Sequence, residues 1–149
     1  MTVLSSFLQK TLLIACLPLL VAAPAQASEN KYKAVSQKGS FTLHFMPSGE
    51  TPLNQLLTWE ARLVPANEPV RKAFQILTEP TDYIIAGGMP AHGHGLPTDP
   101  RVTTVRFDEQ GEVILILKGV KFQMWGDWVL SVEVPALQDR AEAAFTLKP

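Results

Sequence analysis

Residues 41–46 read FTLHFM, an alternation in which every second side chain is strongly apolar. Phe41, Leu43 and Phe45 share one face, as in a β-strand with one buried face. Further short apolar segments follow at 57–63, 74–76, 83–86, 102–107, 113–117, 128–134 and 143–147. Turn-forming residues separate them, and no stretch favours a helix. The sequence predicts one all-β domain, an antiparallel sandwich of about seven strands.

Three stretches of the sequence support more specific predictions. The run VILIL at 113–117 is wholly apolar, which predicts a strand buried on both faces. Trp125 and Trp128 are separated by Gly and Asp, and we expect this pair to form a strand corner that packs into the core. The stretch 87–101 holds four glycines and three prolines, and it predicts a long irregular loop.

The first 27 residues have the pattern of an export signal. Lys10 precedes an apolar stretch at 11–23, and the triplet AQA at 25–27 precedes the polar SEN. We expect cleavage after Ala27, a periplasmic or secreted protein, and no membrane-spanning segment afterwards, since the apolar stretch is shorter than the roughly 20 residues a spanning helix needs. Cys16 leaves a lipid-anchored form as an alternative, but its place in the middle of the apolar stretch favours cleavage.

The expected mature chain, residues 28–149, has 12 basic and 14 acidic residues and therefore a formal charge of −2. Its basic residues are scattered, which argues against nucleic-acid binding. It contains no cysteine, so disulfides and thiolate chemistry are excluded. Residues 28–39 are polar and predict a flexible lead-in to a domain at 40–149. No serine or carboxylate has a catalytic setting, and we expect no enzyme.

Histidine and methionine are concentrated in two groups. His44 and Met46 lie two residues apart on the first predicted strand and therefore on one face. Met89, His92 and His94 lie in GGMPAHGHG at 87–95, where glycines at 93 and 95 let both imidazole rings turn toward one point.

Thioether and imidazole side chains together favour copper, because soft sulfur prefers Cu(I) and imidazole binds either oxidation state. Zinc would more often recruit cysteine, and calcium needs six or more oxygens. The candidate copper ligands are His92, His94, Met89 and Met124, with His44 and Met46 as the second choice. The alternative is a purely structural role, in which the histidines belong to a tight solvated turn and the methionines fill gaps in the core.

A longer run, GGMPAHGHGLPTDPRVT at 87–103, closely resembles the signature loop of the YtkA-like domain family, small exported immunoglobulin-like modules related to FixH-type proteins. The segment GVKFQM at 119–124 with Gly126 and Trp128, and PLN at 52–54 with Trp59, resemble other family segments. The resemblance covers residues 40–147. Gln123 stands where the family commonly has histidine, so a family ligand at that position would be missing here.

The resemblance implies an immunoglobulin-like β-sandwich and a role near copper handling, respiratory-oxidase assembly or metal efflux. Combined with the residue pattern, it predicts an exported module that carries or buffers a copper ion. The alternative is a module without metal that docks onto a membrane protein of the envelope through its loop. That interaction loop would use Gly93, Gly95, Leu96 and Trp125, with Met89 in the same exposed apolar patch.

Overall fold

The computed structural model describes residues 32–149, so the predicted signal peptide and Cys16 lie outside the described residues. Two antiparallel sheets pack face to face, which confirms the predicted all-β sandwich. The described strands are β1 (Lys33–Val35), β2 (Phe41–Pro47), β3 (Leu57–Pro65), β4 (Ile84–Met89), β5 (His94–Gly95), β6 (Arg101–Phe107), β7 (Val113–Val120), β8 (Gly126–Val134) and β9 (Asp139–Leu147). One short helix, α1, spans Glu68–Phe74, and 3-10 turns span Pro80–Asp82, Pro90–His92 and Pro135–Leu137.

The five-stranded sheet has the order β1-β2-β3-β7-β6, and the four-stranded sheet has the order β5-β4-β8-β9. Strand β2 shows how the sequence places its faces: Phe41, Leu43 and Phe45 are fully buried against the other sheet, as predicted. His44 and Met46 lie on the outer face and are half-buried. Among residues 32–149, no helix is long and apolar enough to span a membrane.

An aromatic cluster fills one end of the space between the sheets. Trp59 on β3 lies 5.5 Å from Phe122 and 5.8 Å from Phe145 between ring centroids. Phe122 in turn lies 5.0 Å from Trp128 on β8, with the two rings edge to face. Trp59, Phe122 and Trp128 are almost completely buried. Aromatic pairs at these separations add to the stabilisation that comes from burying their area.

The structure has nine strands in its described part, two more than the sequence predicts. One of them, β1, pairs with β2 in the register Lys33↔His44 and Val35↔Thr42. The predicted flexible lead-in is therefore wrong for residues 33–39, which form this strand and the turn after it. The pattern misses β1 because the strand has only three residues and only Ala34 packs toward the core.

The helix α1 also contradicts the prediction, which placed an apolar alternation at 74–76 and no helix in the chain. Asn67 caps the helix by accepting a hydrogen bond from the Val70 amide at 3.0 Å, and a proline follows in the first turn. Phe74 at the last turn is buried and packs edge to face on Phe41. Ile76 is 79% exposed and does not share a strand face with Phe74.

Strand β7 is not buried on both faces, which corrects the expectation for the run at 113–117. Val113, Leu115 and Leu117 are fully buried, whereas the two isoleucines between them face outward and are half-buried. The neighbouring Arg62 crosses this outer face and reaches Asp108 at 3.1 Å and a second carboxylate, Glu112, at 2.9 Å. The alkyl part of such a side chain covers apolar surface while its charged end stays solvated.

The buried carboxylate of Asp139 ties the turn after β1 to the start of β9. It accepts hydrogen bonds from the Ser36 hydroxyl at 2.7 Å and from the amides of Lys38, Ser40 and Arg140 at 3.0, 3.2 and 2.8 Å. Burial alone would raise the pKa of Asp139, but these hydrogen bonds outweigh it and lower the pKa from 3.8 to about 2. This set of hydrogen bonds, which we call the Asp139 tie, favours the ionised carboxylate. It also joins the two sheets, because β1 and β9 belong to different sheets.

We expect Asp139→Asn to lower the free energy of unfolding at pH 7 by about 2 kcal/mol, because the lowered pKa is a stabilisation of the folded state. The wild type keeps this contribution above about pH 4 and loses it as the pH falls toward about 2. Urea unfolding from pH 7 to pH 2.5 should thus show the two stability curves converging. Asp99→Asn, at an 84% exposed carboxylate, is the control, and a constant gap for D139N would contradict the assignment.

Candidate metal centre

The two histidines of the sequence motif lie at the tip of a short hairpin, which we call the histidine hairpin (residues 84–95). Strand β4 ends at Met89, the 3-10 turn Pro90–His92 follows, and Gly93 adopts a left-handed conformation with φ of 64°. The chain then folds back as β5, whose His94 pairs with Met89. The expected irregular loop at 87–101 is therefore wrong for 87–89 and 94–95, which form strands, and for Arg101, which begins β6. Glycines at the turn allow a hairpin too tight to show an alternating pattern.

The imidazole rings of His92 and His94 form a stacked pair on the surface. Their centroids are 6.3 Å apart, and their planes differ by 20°. Both side chains are exposed. The hairpin therefore presents two nearly parallel rings to solvent, and either ring is accessible to an ion or to a partner.

Met89 does not share this exposure. It is 1% exposed and belongs to the core. Its terminal methyl packs so closely on Gly126 that a Cβ at Gly126 would come within 2.9 Å of it. The expectation of an exposed apolar patch that includes Met89 is therefore wrong, and a surface ion has no access to its thioether while the hairpin is closed.

Met124 lies at the same end of the sandwich as the histidine hairpin. It is half-buried and packs on the core, and its carbonyl oxygen accepts a hydrogen bond from the Trp128 indole at 3.1 Å. The turn Pro90–His92 packs against β8, which begins two residues after Met124. Of the tryptophan pair, Trp128 is buried as predicted, whereas Trp125 is 41% exposed and so does not pack fully into the core.

The second-choice pair, His44 and Met46, lies on the outer face of the other sheet. His44 stands in register between Lys33 on β1 and Arg62 on β3. The structure therefore does not bring this pair together with the histidine hairpin.

Few other side chains that could bind a metal ion lie beside the two histidines. Within residues 32–149, no group of three or more His, Cys, Asp or Glu side chains is placed to hold one ion. A groove of about 320 Å³ that His94 lines also contains Glu142, but this carboxylate is bound by Arg140 at 2.7 Å. The two imidazoles fit copper, which accepts nitrogen ligands, and they do not make the four-ligand site of structural zinc or the oxygen cage of calcium.

Sequence reasoning missed the part that Arg140 and Glu142 play in this groove. They lie on β9, and its neighbour β8 separates them from β4 and the histidine hairpin. Only the order of the strands brings them near His94, so no local pattern in the sequence could have identified them.

A second feature at this end of the sandwich is a cleft of about 590 Å³, which we call the end cleft. Its lining includes Tyr32, Leu53, Trp125, Leu147 and Lys148.

Leu96, which the docking alternative placed in an exposed apolar patch, is half-buried and packs on the core. Its amide donates a hydrogen bond to the Gly87 carbonyl at 3.2 Å.

Comparison with protein-family models and with curated proteins found no match for this chain. The resemblance to the YtkA-like domains therefore rests on the residues at 52–59, 87–103 and 119–128. The observed all-β sandwich agrees with the fold which that resemblance implies.

We expect Gly88→Ala to release β5, because a Cβ at Gly88 would collide with the His94 carbonyl oxygen and crowd Gly95. Gly95→Ala is the matched control, since its nearest neighbour would be 3.9 Å away. Hydrogen exchange at the Leu96 amide should accelerate at least about tenfold in G88A and stay close to wild type in G95A. Equal exchange in the two variants would show that the hairpin does not depend on this contact.

Proposed function

We propose that this protein is an exported copper-binding module, cleaved after Ala27, that carries or buffers the ion through His92 and His94. The observation that supports the proposal most directly is the pair of exposed, nearly parallel imidazole rings 6.3 Å apart at the tip of the histidine hairpin. Imidazole nitrogen is a good copper ligand, and exposure of both rings allows the ion to enter and leave.

The base of the hairpin supports a fixed binding geometry. Strand β4 pairs with β8 over five residues, from Ile84↔Glu133 to Gly88↔Val129, and Met89 is anchored in the core beside Gly126. A rigid base with exposed ligands suits exchange of an ion with a partner, because little ordering is needed when the ion binds. Of the two candidate thioethers at this end, only Met124 keeps contact with solvent, so Met89 is removed from the ligand set.

Copper titration of the mature protein tests this proposal. We expect the wild type to bind one copper ion and the His92→Ala, His94→Ala double variant to bind at least about 100-fold more weakly, since the ligand nitrogens are lost. His44→Ala is the control, because His44 lies on the other sheet, and it should bind like the wild type.

Elemental analysis of the protein purified from the envelope, without chelators or affinity histidines, complements the titration. Copper near one equivalent supports the carrier function. Identical weak binding by the wild type and the double variant, together with no copper in the purified protein, would overturn it.

A second candidate function, docking onto a membrane protein of the envelope without a metal, is favoured by Trp125. This side chain is 41% exposed at the end cleft, together with Tyr32 and Leu53. Exposed tryptophan beside a cleft is typical of residues that dominate binding energy in protein interfaces.

For this second function, we expect Trp125→Ala to weaken partner capture at least about tenfold, since truncation of an interface tryptophan removes a large buried area. The control is Ile76→Ala, which removes an even more exposed side chain, 79% exposed, from beyond α1. A photo-crosslinker at Lys148, which lines the same cleft, should in envelope membranes capture the same partner with the histidines intact and in the His92→Ala, His94→Ala variant. Loss of capture in the histidine variant would count against docking without metal.

A further inference from the structure

We propose that the outer face of the five-stranded sheet binds the surface of an anionic lipid membrane. This face, which we call the basic face, is formed by the outward side chains of β1, β2, β3, β7 and β6. It lies on the other sheet from the histidine hairpin, so membrane binding goes beyond the proposed copper function and does not depend on it. The cations of the basic face are Lys33, Arg62, Arg101, Arg106 and Lys118.

Charge is divided unequally between the two outer faces of the sandwich. Outward positions alternate with buried ones along each strand. On the five-stranded sheet the outward positions carry five cations and one carboxylate, Glu60, which gives a formal charge of five minus one, or +4. On the four-stranded sheet they carry one cation, Arg140, and three carboxylates, so the formal charge is −2. Those carboxylates belong to Asp127, Glu133 and Glu142.

The register of the strands brings these cations together from distant parts of the chain. Lys33, His44 and Arg62 stand opposite one another on three neighbouring strands. Lys118 and Arg101 are likewise paired on β7 and β6. The basic residues look scattered in the sequence because each strand contributes only one or two of them, and the basic face exists only once the sheet has formed.

Most cations of the basic face are available to an anionic partner. Lys33 and Lys118 are exposed, and neither forms an ion pair within residues 32–149. Arg101 and Arg106 lie 3.8 and 3.4 Å from a carboxylate and are 78% and 55% exposed. Such exposed pairs contribute little free energy, so an anionic surface can replace the carboxylate. Only Arg62 is held closely, by the two carboxylates described above.

The breadth of the basic face favours a membrane over a small anion. Five strands at a spacing of about 4.8 Å span about 19 Å, and the cations are distributed across this width from β1 to β6. Their side chains leave one side of the sheet, so several of them can reach the same extended surface together, and anionic headgroups attract each Lys or Arg near them. Val35, two residues after Lys33 and 67% exposed, adds an apolar side chain that can enter the headgroup region.

This orientation keeps the histidine hairpin accessible. Strands β4 and β5 belong to the four-stranded sheet, whose outer face points away from a membrane on which the basic face lies. The acidic side chains of that sheet are likewise kept away from the anionic headgroups. A protein bound to the membrane in this way can still present the histidines to a partner.

Sedimentation of the mature protein with lipid vesicles tests the proposal. We expect binding to vesicles with about 40% phosphatidylglycerol in phosphatidylcholine to be at least about tenfold tighter than binding to pure phosphatidylcholine vesicles in about 50 mM salt. In about 500 mM salt the difference should disappear, because salt screens the attraction between exposed charges.

The Lys33→Gln, Lys118→Gln double variant removes the two cations that have no carboxylate partner. It should bind the anionic vesicles at least about tenfold more weakly than the wild type, since each lysine near an anionic surface contributes about fivefold. The matched control is Lys72→Gln, Lys148→Gln, which removes the same charge from α1 and from the end cleft. The control should bind within about twofold of the wild type, and both double variants should keep the wild-type thermal unfolding.

Equal weakening in the two double variants would overturn the proposal, because net charge rather than the basic face would then govern binding. Equal binding to anionic and neutral vesicles, or no binding to either, would also overturn it. Capture of an acidic protein through Lys33 and Lys118 without vesicle binding would replace the membrane by a protein partner. Vesicle binding by a protein that takes up no copper would overturn only the proposed copper function.

Discussion

The packing of Trp59 against Phe122 and Phe145 is the contact on which the rest of this structure depends. Trp59 belongs to the five-stranded sheet, Phe145 belongs to the four-stranded sheet, and Phe122 lies in the connection between β7 and β8. The three rings are within 6 Å of one another between centroids. They close the sandwich at the end where the histidine hairpin lies, and they set the path of the connecting segment.

That path determines where the histidine hairpin stands. Phe122 packs on Trp128, whose indole holds the Met124 carbonyl and so fixes the chain just before β8. Gly126 then opens β8 with no side chain, and the methyl of Met89 occupies the space beside it. Because Met89 pairs with His94, the aromatic core and the exposed rings are connected through a short series of packed residues. The exposed rings of the histidine hairpin are therefore positioned by residues buried in the core.

The sequence predicts most strands because burial of one face leaves a local alternation, as at 41–46. It does not predict α1, since this helix of seven residues buries only Phe74 and is marked by little more than its Asn67 cap. The sequence places His92 and His94 in one glycine-rich turn, and their rings lie 6.3 Å apart between centroids, but that both rings face one point stays a prediction. The burial of Met89 was not, because it depends on Gly126, which lies far along the chain. The same reason applies to Glu142, which reaches the site through strand order alone.

The Asp139 tie has a consequence for the order in which the protein folds. Its partner Ser36 lies 103 positions earlier in the chain, so the sandwich closes only after nearly the whole polypeptide is available. Sheets built from such distant pairings fold in about milliseconds to seconds, slowly compared with helical proteins. During synthesis the turn after β1 therefore waits without the Asp139 carboxylate that binds it. For the exported protein proposed above, this late closure of the sandwich delays the native fold until the chain is nearly complete, which favours export before folding.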